Sequence, residues 1–430
     1  MSLLISGGHV IDPKNNISEL CDIFVENQKI SRIWKNLDVS AEKIIDATGL
    51  LVTPGLIDMQ VHLREPGRED QETIETGCKA ALAWGVSSLA SMPNVSPTAD
   101  NQSIIEYIIS KSNKLWLARV YPTGSITKWL GGKELSEMNE LKETGAIAVT
   151  DDGVDLQHEG ILRRAMQYAK NIDMLLMSHC ETNDLTDGGV MHEGWVSTQM
   201  WVPGVPALSE DLAVYKNILL AEETGARLHL LHNSTAGAMR AIREAKSRGA
   251  TNISAEVTVQ HFSLTDEACL EYNTNAKMYP PLRPQNHIDA VIEAINDDTI
   301  DAFTTDHAPH TQPDKLMAFA DAPNGFIGLE TSFAVAYTYL VKTGKVRLEK
   351  VIQKFTSGPA SILRIPGGSL WEGAPADISI FDPNETWVVD ENNFFSKAQN
   401  SPYIGQSLTG KALYTIVGGE VKYEKWEIIW

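Results

Sequence analysis

The chain has 430 residues, 43% of them apolar, enough to bury a large core and to exceed the usual size of a single domain. A formal net charge of -20 argues against nucleic acid or an anionic membrane as partner, so positive charge that meets an anionic ligand must be placed locally. Cys21, Cys78, Cys180 and Cys269 are far apart with no C-x-x-C pair, so neither a disulfide framework nor a thiolate zinc site is indicated. The opening MSLLISGGHV lacks a basic stretch, and no apolar run reaches the roughly 18 residues of a membrane span. A cytoplasmic protein is expected.

Residues 1 to about 53 hold short β-rich pieces, LLISGGHVID, CDIFVENQKISRIW and KIIDATGLLV, separated by turn residues. From residue 54 apolar runs alternate with amphipathic segments, the texture of βα units. The runs are LIDMQVHL, GVSSLASMPN, KLWLARVYPTG, GAIAVTDDG, DMLLMSHCE, ARLHLLHNST, NISAEVT and IDAFTTDHAPH. Helical patterns such as ETIETGCKAALAW, EGILRRAMQYAK, EDLAVYKNILLAEE, GAMRAIREAKSR and HIDAVIEAIND lie between them. Eight such strands predict an α/β fold, a (β/α)8 TIM-type barrel over 54–367, whose site sits at the C-terminal strand ends. Two further helical stretches, Gly328 to Thr343 and Arg347 to Leu363, follow the last run. From about Gly368 the β texture returns in ADISIFDP, TWVVD and ALYTIVGGEVKYEKW, so 1–53 and 368–430 are expected to form a small composite β-sandwich domain.

Ionisable residues recur where the apolar runs stop. His62 closes the first, Asp151 and Asp152 the fourth, His179 the fifth, His232 the sixth and Asp306 the eighth. Gln60, His62 and Arg64 share one face of the first strand. Singly, a strand-end histidine is more often a hydrogen-bonded loop residue than a ligand, and Asp151-Asp152-Gly153 is an ordinary turn. Together, nitrogen and carboxylate donors at one barrel mouth predict a metal site suited to zinc, manganese or iron, with room for two ions. His9, His158, His192, His229 and His287 fall outside this pattern, and His229 points to the opposite strand face. Trp195 and Trp201, in the long segment after the fifth strand, are candidates for a lid or for surface packing.

At these residues the chain resembles the amidohydrolase superfamily, and within it the class I dihydroorotases. The resemblance rests on VHLREPG at 61–67, MPN at 92–94, YPTGSIT at 121–127, TDDG at 150–153, SHCE at 178–181, LHNST at 231–235, AEVT at 255–258, KMYPPLR at 277–283, TDHAPHT at 305–311 and GLET at 328–331. It implies a metal-dependent hydrolase that interconverts N-carbamoyl-L-aspartate and L-dihydroorotate in pyrimidine biosynthesis. It further implies Asp151 as the carboxylate bridging two metals, His179 and His232 as ligands of one ion, His62 of the other, and Asp306 as both ligand and catalytic proton carrier. Arg64, Asn94 and His310 match positions that hold the substrate carboxylate, and Asn324 and Gly325 further substrate contacts. Arginine suits that role because its planar fork binds a carboxylate in two places.

Three positions depart from the family pattern. Gln60 stands where a first imidazole ligand is expected, Tyr279 where an asparagine touches the substrate, and Gln260-His261 where a His-His pair is expected. A carboxamide is a poor, neutral donor, so one firm Zn2+ and a weak or absent second ion are expected. The reading as an active enzyme competes with two others. One is a catalytically silent homologue serving as structural partner of aspartate carbamoyltransferase, with which related class I proteins assemble. The other is a different cyclic amide hydrolase of the dihydropyrimidinase or allantoinase type, disfavoured because the fourth strand ends without the lysine that those relatives carboxylate. A homo-oligomer acting on a small anionic substrate is expected.

Overall fold

The computed structural model describes residues 2–430. Each of the eight apolar runs contributes a parallel strand: β1 (Leu56–Val61), β2 (Val86–Ser91), β3 (Arg119–Pro122), β4 (Ala148–Thr150), β5 (Leu175–Ser178), β6 (Leu228–Leu230), β7 (Ile253–Thr258) and β8 (Ala302–Thr304). The first three form one arc and the other five a second. Parallel bridges Val61–His307 and Gly124–Val149 close the two arcs into a barrel. At these seams the His62 amide donates to the His307 carbonyl at 2.9 Å and the Gly124 amide to the Ala148 carbonyl at 3.0 Å. Side chains inside and helices outside leave β1, β2, β4 and β5 buried along their whole length, which is why they read as largely apolar runs in which polar residues are few and small, apart from Asp58 and Gln60 of β1.

The intervening helices follow the predicted amphipathic segments. In Glu159–Asn171 the buried residues Ile161, Leu162, Ala165, Met166 and Ala169 recur at the spacing that makes one face. The Thr235 hydroxyl accepts from the Ala238 amide and starts helix Ala236–Ser247 directly after β6. Two stretches differ from expectation. KLWLARVYPTG yields only a four-residue strand, because its first residues complete helix Gln102–Leu115. Residues 328–343 form a 3-10 turn, the short helix Ser332–Ala336 and a π turn at Tyr337–Val341, where the Thr338 hydroxyl accepts from the Thr409 amide at 2.9 Å.

Both chain ends enter one nine-stranded sheet. Strand Leu51–Pro54 runs antiparallel to the start of Ile378–Val388, with Ile378 opposite Pro54 and Phe381 opposite Leu51. Leu3, Ile5, Val10, Ile23 and Val52 share a buried cluster with Ile378, Ile380 and Ile416, so neither terminal segment owns a core alone. Phe381 stacks on Phe333 at 3.9 Å between ring centroids and ties this sheet to the barrel.

Candidate active site

Five strand ends converge at the barrel mouth. Met177 pairs with Thr150, so His179 and Asp152, each two residues further on, stand side by side. His179 Nδ1 lies 2.8 Å from His232 Nε2 and 3.7 Å from Asp152 Oδ1, and His232 Nε2 lies 3.4 Å from the same oxygen. The other carboxylate oxygen, Asp152 Oδ2, is 3.2 Å from His62 Nε2, which is 3.0 Å from Asp306 Oδ1. Arg64, His232 and Asp306 hold left-handed backbone angles, φ 59, 32 and 47. Non-glycine residues adopt these at a cost of about 1–3 kcal/mol, and here the turn aims each side chain into the mouth.

The carboxylate in this cluster belongs to Asp152 and not to Asp151, which corrects the sequence-based assignment. Neighbouring residues point to opposite sides of the chain, so only one of the pair can join the imidazoles. Asp151 instead accepts from the Ile126 amide at 2.7 Å, the Thr127 amide at 3.0 Å and the Thr127 hydroxyl, pinning the loop that follows β3. Burial pushes its carboxyl up to about 6 against those hydrogen bonds.

The donor set fits a metal ion. The edges of the Asp152–His179–His232 triangle, 2.8, 3.4 and 3.7 Å, bracket the separation of about 3.3 Å between ligands lying about 2.0 Å from a tetrahedral zinc. His62, Asp152 and Asp306 form a second group of possible ligands, so the two oxygens of Asp152 serve both. Burial opposes charge at Asp152, His62 and His179, yet their contacts outweigh it. Asp152 is held well below the usual carboxylate range by His179, His232 and His62, while His62 is carried up to about 9 by Asp152 and Asp306. His179 rises to about 10 through Asp152 and Glu181. Gln60 is fully buried and neither atom of its carboxamide finds a hydrogen-bond partner. The second group is thus one imidazole and two carboxylates, beside an amide that could add only a neutral oxygen.

A cavity of about 450 Å3 opens over the cluster, and Arg64, Asn94, Tyr279, His310, Asn324 and Gly325 line it. Arg64 donates to the Pro309 carbonyl at 3.3 Å, and no described carboxylate makes an ion pair with it. Burial lowers its guanidinium to about 10, still charged at neutral pH, which leaves an unsatisfied cation facing the cavity. Asn94 Oδ1 accepts from His62 Nδ1 at 2.8 Å. His310 is kept neutral, pushed down to about 3 by burial and by Arg64, and its Nε2 donates to the Asn324 carbonyl at 2.7 Å. Two lysines that the sequence did not flag hold this wall. Lys277 Nζ donates to the Ala320 and Ala322 carbonyls at 2.9 and 2.7 Å, and Lys315 Nζ to the Pro323 carbonyl at 2.8 Å. Gly325 adopts φ +108, and a Cβ there would sit 2.6 Å from Ala308 Cβ. Gly325→Ala is therefore expected to lower stability by about 1–3 kcal/mol, read by denaturant titration, and to raise KM by deforming the pocket wall.

Other sequence-based candidates fall elsewhere. His229 pairs with Met177 and so lies on the same side of the sheet as His179, not on the opposite face expected from its spacing to His232; it is fully buried below the mouth, 2.9 Å from Glu256 and 2.8 Å from Ser254. Trp195 and Trp201 are 79% and 92% exposed and do not line the cavity, whereas Thr186, Gly188 and Gly189 of the same segment do. Gln260 donates to the Thr305 carbonyl and His261 bonds to Thr258, so that pair braces strand ends away from the cavity. Glu181, absent from the sequence-based candidates, lines the cavity beside His179. Its only signal in the sequence is its place within SHCE, two residues beyond His179.

This barrel, with its composite sheet and its histidine and carboxylate cluster, is that of the amidohydrolases. The Amidohydrolase family matches residues 158–423, and the family described as Dihydro-orotase-like matches residues 49–237. The dihydroorotase of Pelotomaculum thermopropionicum is 48% identical over 421 residues, covering 98% of each chain, and that of Geobacter metallireducens is 47% identical over 99% of this chain and 100% of the relative. The chain therefore belongs to the dihydroorotase family. Among solved structures, the L-hydantoinase (dihydropyrimidinase) of Arthrobacter aurescens superposes with a TM-score of 0.89 at 24% identity, over 100% of this chain and 97% of its own. The dihydropyrimidinase of Brevibacillus agri gives 0.85 at 20% identity, over 100% and 96%. At that identity the likeness is one of fold.

Proposed function

We propose that the chain catalyses the reversible hydrolysis of L-dihydroorotate to N-carbamoyl-L-aspartate, the cyclic amide reaction carried out in pyrimidine biosynthesis. The observation that carries this is the unpaired Arg64 guanidinium in the same cavity as the Asp152-centred donor set: an anion anchor beside a metal-dependent amide-cleaving group. Asp152, His179 and His232 would hold the firm ion, and His62 and Asp306 a weaker one. A zinc ion, when bound, supplies Lewis acidity that polarises the amide carbonyl and makes water acidic near neutral pH. Arg64 takes the substrate carboxylate in a bidentate fork, and the tied-down Asn324–Gly325 segment closes that end of the pocket. Asp306 accepts a proton from the attacking water and returns it to the departing ring nitrogen, with the reverse transfers in ring closure. Asn94 holds His62, which in turn holds Asp306.

Dihydroorotate hydrolysis measured alongside metal content is the test. No turnover in a fully metallated sample, with and without aspartate carbamoyltransferase, would exclude the enzyme and leave a partner-only role. A panel with dihydrouracil, hydantoin and allantoin reads the choice of ring, and dihydroorotate is expected to be preferred. Gln60→His is expected to raise zinc content from near one towards two ions per chain, because it supplies the missing imidazole beside His62. An unchanged content would count against a role for that position.

A further inference from the structure

The wall of the site contains a three-member chain that the reaction as derived does not use. Tyr279 Oη donates to Glu181 Oε1 at 2.7 Å, and Glu181 Oε2 lies 3.4 Å from His179 Nε2. The rings of Tyr279 and His179 stack, 6.0 Å between centroids and 18° between planes. His179 Nδ1 faces His232 Nε2 at 2.8 Å.

From this geometry we infer that Tyr279 is a positioning residue, which acts through Glu181 to fix the tautomer and rotation of His179 and so strengthens metal binding, and that it does not anchor the substrate. The inference rests on the metal-dependent reading above. A carboxylate can only accept, so one Glu181 oxygen accepts a hydrogen bond from the phenol and the other accepts one from the His179 Nε2–H. That leaves the Nδ1 lone pair directed at Asp152 and His232. Carboxylates bonded to the far nitrogen of a ligating histidine raise its basicity and set its ring orientation, and losing one typically weakens metal binding about 10- to 100-fold. The phenol has a single proton, which it spends on Glu181, and its ring restricts rotation of the imidazole from the side. Tyr279 thus reinforces one half of the donor set, while Gln60 weakens the other half.

The test is the zinc dissociation constant of the full-length chain, read by chelator competition at fixed pH, together with KM for dihydroorotate at saturating zinc. Glu181→Gln is expected to weaken zinc binding roughly 10- to 100-fold, and Tyr279→Phe, which keeps the stacked ring, roughly 3- to 10-fold. The double variant should be no weaker than Glu181→Gln alone, since both changes break one chain. KM should stay within about twofold in Tyr279→Phe, well short of the loss that follows removal of a substrate hydrogen bond. Tyr279→Asn, which removes ring and hydroxyl together, should fall below Tyr279→Phe in affinity. Unchanged zinc affinity in Tyr279→Phe, or a raised KM with affinity intact, would overturn the inference and make Tyr279 a substrate contact. Zinc affinity needs no turnover, so a wild-type chain that binds zinc without hydrolysing dihydroorotate would defeat the proposed function and leave this inference standing or falling on its own readout.

Discussion

Asp152→Asn is expected to lower kcat for dihydroorotate hydrolysis by at least about 10³-fold and to strip most of the bound zinc. One oxygen of this carboxylate faces His179 and His232 and the other faces His62, so the change removes the charge on which both ligand groups depend. The matching change one residue earlier should behave differently. Asp151→Asn puts an amide against the donors of Ile126 and Thr127 and is expected to cost about 1–3 kcal/mol of stability for each group left unpaired, with zinc retained. Elemental analysis, thermal melting and the hydrolysis assay on the two variants separate these outcomes. Zinc lost from the Asp151 variant and kept by the Asp152 variant would reverse the assignment.

Arg64→Gln is expected to raise KM for dihydroorotate roughly 30- to 1000-fold, with a smaller effect on kcat. Losing a charged, two-point hydrogen bond to a carboxylate costs about 2–4 kcal/mol, and no neighbouring carboxylate already occupies this guanidinium. Arg64→Lys should recover little, because an ammonium offers a point charge in place of a planar fork. Steady-state kinetics on both variants give the answer. A KM within twofold of wild type would place the anion anchor elsewhere.

Much of this architecture could be read from the residues alone, for physical reasons that also explain the failures. Barrel strands buried on both faces leave runs such as LLMS and AVT that carry no charged residue, and the ionisable groups that close them stand out against that background. His62, His179, His232 and Asp306 were legible in this way. The choice between Asp151 and Asp152 was not, because it depends on register between β4 and β5, where Met177 meets Thr150. Gln60 was visible as a departure, but its burial without partners was not. The Tyr279–Glu181 contact joins residues 98 apart in the chain, and no local pattern marks it. Nothing in the sequence marks Lys277 or Lys315, and only the fold turns their ammoniums onto carbonyls of the cavity wall.

The pairing of Leu51–Pro54 with Ile378–Phe381 bears on how the molecule is made. During synthesis the leading strands emerge first and must wait, one edge open, while more than three hundred further residues are translated. The barrel can close within that interval, and the last strands then cover the waiting edge. A stalled or clipped product that ends before Ile378 would keep the edge of Leu51–Pro54 bare and is expected to self-associate more readily than the full chain, in which Ile378–Phe381 covers that edge.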